Sequence, residues 1–141
     1  TGRLRGGTCV HPRSRCDPYQ GRVRVSELQP EASSALDAAL ARAREVVDPA
    51  DLALAQSTID CMLGHGPAPS PASDERTADL TAVVEQMLID VASLDDATAL
   101  RAARHFPDGG FADFVMASYV IEARTRLRLA SDRLLGGGGA G

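Results

Sequence analysis

The chain has 141 residues, a formal charge of −4 and 44% hydrophobic residues, but only 4% aromatics and no Trp. That is enough chain for one domain around one core, and the composition excludes a collagen, a coiled-coil rod, a disulfide mini-protein and a wholly disordered polymer. The richest apolar run, Phe111 to Ile121, is interrupted by Asp113 and falls short of the roughly 18 residues that a membrane span requires. With no apolar segment of a secretory signal near the N-terminus, a cytoplasmic location and no membrane partner are expected. All 15 basic residues are Arg, which together with the absence of Lys and Asn points to a GC-rich coding sequence.

Charge divides the chain in two. Residues 1–24 carry six Arg against one acid, Asp17, whereas residues 25–141 carry nine Arg against 18 acids. The basic segment is rich in Gly, Pro and Arg and shows almost no apolar periodicity, so residues 1–25 are expected to form a flexible arm. The chain begins with Thr1 and its first Met is Met62. A native start near Val23 or Val25 is therefore one hypothesis, which peptides from residues 1–20 of the natively expressed protein would overturn.

From Ser26 the spacing is helical. Leu36, Ala39, Leu40, Ala43, Val46 and Val47 mark one face of a helix opening at Pro30-Glu31. Asp48-Pro49 ends it and starts a second, with a good N-cap and a Pro at the first helical position; its stripe is Leu52, Ala55, Ile59 and Leu63, and Gly64 stops it. A Pro/Gly/Ser loop follows over residues 64–73. Ser73 or Asp74 caps a third helix with the stripe Leu80, Val83, Val84, Met87, Leu88 and Val91. Ser93 or Asp95 caps a short fourth one running to about His105, and Asp108 is a candidate cap for the last, Phe111 to Leu135. The apolar residues from Phe111 to Ile121 surround that last helix on most sides and predict burial all round, against its own domain and a partner subunit. Beyond Glu122 the expected inner face is Ala123, Leu127, Ala130 and Leu134. The tail, residues 136–141, has linker composition. No segment alternates like a strand. The expected fold is all-α, a domain of about five helices over residues 26–135.

The run from Val83 to Leu135 resembles the C-terminal half of alkylhydroperoxidase D-like (carboxymuconolactone decarboxylase-like) proteins. Glu85-Gln86, Asp90, Asp95-Asp96, His105-Phe106 and Arg126-Leu127 occupy places matching that family's phrases. Upstream, VDPADLALAQSTIDCMLG resembles the helix leading into its redox site. The resemblance implies an all-α oligomer and, in active members, a C-x-x-C dithiol with a Glu one helix earlier and a His shortly after the second Cys. Such chemistry needs a thiolate that attacks peroxide and a second sulfur that closes a disulfide. This chain reads Cys61-Met62-Leu63-Gly64-His65: the first Cys aligns, Gly64 replaces the second, and the nearest upstream acids are Asp48 and Asp51. The implied protein is a homo-oligomer with a degenerate site, little or no peroxidase activity and room for a small apolar ligand. The alternatives are a single-Cys hydroperoxide reductase or other small-molecule enzyme, lactone decarboxylase-like acid–base chemistry, and a non-catalytic scaffold.

Each candidate residue has a plain structural role to set beside the chemical one. Cys61 with His65 could form an activated thiol, against a small buried Cys at a helix end. Glu85 could join Glu122 as an acid–base pair, against pairing of Glu85 with an Arg such as Arg124, while Asp90 faces water. His105 closes a short helix, where a cation suits the dipole. Cys9, His11 and Cys16, with Asp17, do not have the ligand spacing of structural zinc sites, and no metal or cofactor is expected. The basic arm offers only Tyr19 for base stacking beside an acidic body, so no nucleic-acid partner is expected.

Overall fold

The computed structural model describes residue 27, residues 29–68 and residues 70–135; the basic arm, with Cys9, His11 and Cys16, and the Gly-rich tail lie outside the described residues. Within the described residues the chain forms α1 (Pro30–Val46), α2 (Pro49–Met62), α3 (Glu75–Ile89), a 3-10 turn (Val91–Ser93), α4 (Asp96–Ala103) and α5 (Gly110–Leu135), and no strand. The fold is all-α, as the periodicity indicates. No described helix is long and apolar enough to cross a membrane.

Carboxylate caps set most of the helix starts. The Asp48 side chain accepts from Ala50 N–H (2.7 Å), Asp74 from Thr77 N–H (2.8 Å) and Asp95 from Thr98 N–H (2.8 Å), each satisfying a donor that the first turn leaves open. At Asp74 and Asp95 the backbone bond, helped by the Thr side chain, holds the carboxyl below its ordinary value. Position Gly109, at φ +82°, precedes α5, and its carbonyl accepts from Asp113 N–H; the cap position therefore falls one residue beyond Asp108.

α2 is the central element. It packs broadly against α3 on one side and α5 on the other, while α1 lies along α5 and α4 along α3. Ala55 and Ile59 of α2, Leu80, Val83 and Val84 of α3, and Phe114 of α5 are all at most 1% exposed. Phe114 also meets Phe106 of the α4–α5 turn, with ring centres 5.5 Å apart.

Two expectations change. Val91 leaves the α3 stripe because Asp90 ends that helix and starts the 3-10 turn, and Val91 is 49% exposed. In the first half of α5, Phe114, Ala117, Ser118 and Ile121 face inward while Met116 is 62% exposed in the single chain. Further along, the inner face continues through Thr125 rather than Ala123, and Leu134 is 81% exposed because α5, at about 39 Å long, runs to where the described residues offer no cover.

One buried group within the described residues has no partner: the Thr58 hydroxyl, in a residue 1% exposed on α2. A buried hydroxyl left unbonded costs about 1–3 kcal/mol. Thr58→Val, which keeps the shape and removes the hydroxyl, is therefore expected to raise stability by about 1 kcal/mol, read as a higher urea midpoint at unchanged slope.

Candidate functional site

The end of α2 determines what the candidate thiol can do. Leu63 is the C-cap, and Gly64 follows it at φ +74°. Gly64 N–H donates to Cys61 O (2.9 Å) and His65 N–H to Asp60 O (2.8 Å). These are the two bonds of a Schellman motif, with Gly64 in the left-handed position that glycine fills without strain. Gly66 N–H also donates to Asp60 O (3.0 Å), and a Cβ built on Gly66 would lie 3.1 Å from Asp60 Cβ. The loop thus folds tightly back over the last turn of α2.

This closure separates the candidate residues. Cys61 is half-buried with a free thiol, in the last turn of α2, whereas His65 is exposed in the loop. His65 lines an open depression of about 620 Å³ with Leu54, Ser57, Asp60, Pro67 and Thr77, and Cys61 does not line it. Glu85 is half-buried on α3, and Glu122 on α5 pairs with Arg126 of its own helix (2.7 Å). The two acids lie on different helices, each of which packs against α2. Arg124 pairs with Asp37 of α1 (3.3 Å) instead of with Glu85. Asp90 is exposed and caps the 3-10 turn by accepting from Ala92 N–H (3.0 Å). Among the described residues no three His, Cys, Asp or Glu gather as a metal site would require.

The strongest electrostatic cluster lies elsewhere, where α2, α3 and α4 meet. Arg76 of α3 forks onto Asp51 of α2, with Nη2 to Oδ2 at 2.5 Å and Nε to Oδ1 at 3.3 Å; the Asp51 side chain is 8% exposed. The same guanidinium donates to the His105 carbonyl and stacks over the Phe106 ring at 4.7 Å. One turn on, Asp79 accepts from His105 Nε2 (2.9 Å) and pairs with Arg101 and Arg104 (both 3.4 Å), while Arg104 also reaches Glu75. A carboxylate can only accept, so the His105 ring proton sits on Nε2. The His105 bond, seconded by the two arginines, holds the Asp79 carboxyl below its ordinary value in spite of burial.

His105 therefore does more than end a short helix: its ring and its carbonyl both tie the end of α4 to α3. Its pairing with Asp79 is that of an oriented imidazole, yet neither residue lines the His65 depression, the groove between α1 and α5 or the hollow beside Leu100. The arrangement clasps α4 to α3 and α2. Sequence spacing does contain a sign of it. Asp51 stands four residues before Ala55 on the buried stripe of α2, and Asp79 four before Val83 on that of α3, and acids in such positions must be paired when buried. Comparison with known protein families, curated proteins and solved structures finds no match to this chain.

Because Asp79 is held low in the folded chain, its contribution to stability is complete above the ordinary carboxyl value of 3.8 and is lost as pH falls through the lower folded value. Asp79→Asn is expected to lower stability at pH 7 and to flatten the loss of stability on acidification. Urea midpoints measured from pH 7 down to pH 2 check both, and an unchanged acid limb would count against the clasp.

Proposed function

We propose that this chain is a helical domain of the alkylhydroperoxidase D-like type whose dithiol chemistry is gone, and that it serves as an oligomeric module with a small-ligand depression beside His65. The observation that carries this reading is the conformation at position 64, where a second cysteine would have to stand. That position closes a Schellman motif at φ +74°, a conformation that costs an L-residue about 1–2 kcal/mol. The site is thus built as a helix terminus rather than as a dithiol pair.

The placement of Cys61 supports the same reading. Reactive thiolates gain from the N–H groups at a helix N-terminus, whereas Cys61 lies in the last turn of α2, where backbone carbonyls point outward. His65 is directed to the loop side and to the depression, so the imidazole serves ligand contact rather than the thiol. Leu54, Pro67, Ala68 and Pro71 give that depression an apolar wall, and Ser57, Asp60 and Thr77 give it polar edges. A small, mainly apolar ligand fits this lining.

The test is hydroperoxide turnover by the full chain with a dithiol reductant, in a Cys9→Ser/Cys16→Ser background. Turnover is expected to match that of the additional Cys61→Ala variant, with slow labelling of Cys61 by a thiol reagent near neutral pH. Gly64→Cys is expected to restore no turnover and to lower stability by about 1 kcal/mol, since nothing lies within 4 Å of a Cβ there and only the backbone resists. Fast labelling of Cys61 together with turnover lost in Cys61→Ala would overturn the reading.

A further inference from the structure

Building on the oligomeric part of that reading, we propose that the groove between α1 and α5 is the docking face for a second copy of this chain, arranged about a two-fold axis that runs along the groove. The groove encloses about 280 Å³. Its floor is made of small residues, with Ala43 6% and Ala117 3% exposed, while Met116 stands 62% and Val46 39% exposed beside it. A large unbranched side chain next to an alanine-lined hollow is a knob that the described residues leave uncovered.

The charges at the rim identify the occupant. Arg42 of α1 and Asp113 of α5 both line the groove. Among the described residues Arg42 pairs across one turn with Glu45, at 2.8 Å between side chains 71% and 65% exposed, a contact that holds weakly and exchanges readily. The two helices run antiparallel: Asp37 early in α1 meets Arg124 late in α5, while Val46 at the end of α1 shares the groove with Asp113 at the start of α5. A two-fold axis along the groove lays α1 of each copy over α5 of the other. It seats each Met116 over the other copy's Ala39 and Ala43 and brings each Arg42 to the other copy's Asp113. The crosswise axis would stack Arg42 on Arg42.

One patch carrying both knob and hollow, and both cation and anion, is self-complementary in the way an isologous contact requires. The hollow beside Leu100 lacks this property. Leu100 is 70% exposed there, but the lining holds Asp96 and no cation, so two copies would oppose acid to acid.

The experiment is sedimentation of the full 141-residue chain over a range of concentrations in reducing buffer. Wild type is expected to self-associate, and Met116→Glu to raise the dissociation constant by about tenfold or more, with helical content unchanged and a melting temperature equal to that of wild type at concentrations where both are monomeric. Ile89→Glu, on a residue 69% exposed on α3, leaves association as it is. Arg42→Asp and Asp113→Arg each weaken association by opposing like charges, and the double variant restores it. Association that survives Met116→Glu would overturn this face while leaving an oligomer formed elsewhere. A wild type that stays monomeric throughout would overturn both the face and the oligomeric reading. Single charge reversals that weaken association without rescue in the double variant would overturn the proposed axis.

Discussion

The fold turns on the guanidinium of Arg76. It lies on α3, yet its contacts are with other elements: the Asp51 carboxylate of α2, the His105 carbonyl at the end of α4, and the Phe106 face in the turn before α5. A planar fork with donors on several edges can do this, where a lysine ammonium could not meet a carboxylate, a carbonyl and a ring at once. Asp79, one turn later, draws in the His105 ring and two arginines of α4. α4 has only eight residues and a single fully buried side chain, Ala102. Apolar packing alone gives such a helix little hold, and the clasp supplies the rest. Phe106, placed by Arg76 on one side, then meets Phe114 on the other, which carries the order of the clasp into the core of α5.

Much of this architecture was legible in the sequence because caps and apolar periodicity agree. Asp48-Pro49, Asp74 and Asp95 mark helix starts by chemistry that depends on a few neighbouring residues, and the stripe from Leu80 to Met87 has one face to bury. What local patterns could not convey was which helix covers which face. Met116 and Leu134 belong to apolar patterns, but the described helices do not cover them. Asp51 and Asp79 stand on buried stripes where their partners, Arg76 and His105, lie 25 and 26 residues away. Charge pairing over such separations has no period to reveal it.

The candidate thiol site shows the reverse case, in which sequence spacing brought residues together and backbone geometry parts them. Cys61 and His65 are four apart, as two side chains on one helical face would be, but the helix ends at Met62 and the chain reverses at Gly64. The turn satisfies the open carbonyls of α2 and carries His65 into the lining of a depression that Cys61 does not line. One helix terminus therefore accounts both for the stable end of the central helix and for the separation of the two groups that a thiol mechanism would join.

Gly66 gives that terminus a further effect. Its missing side chain lets the peptide settle against Asp60 and the Cys61 amide, both of which would crowd any Cβ placed there. A methyl at residue 66 would need these neighbours to give by a few tenths of an ångström, just where the loop turns toward Pro67 and Ala68. Gly66, Pro67 and Ala68 all line the depression beside His65, so the close approach of residue 66 to α2 helps set where that wall stands.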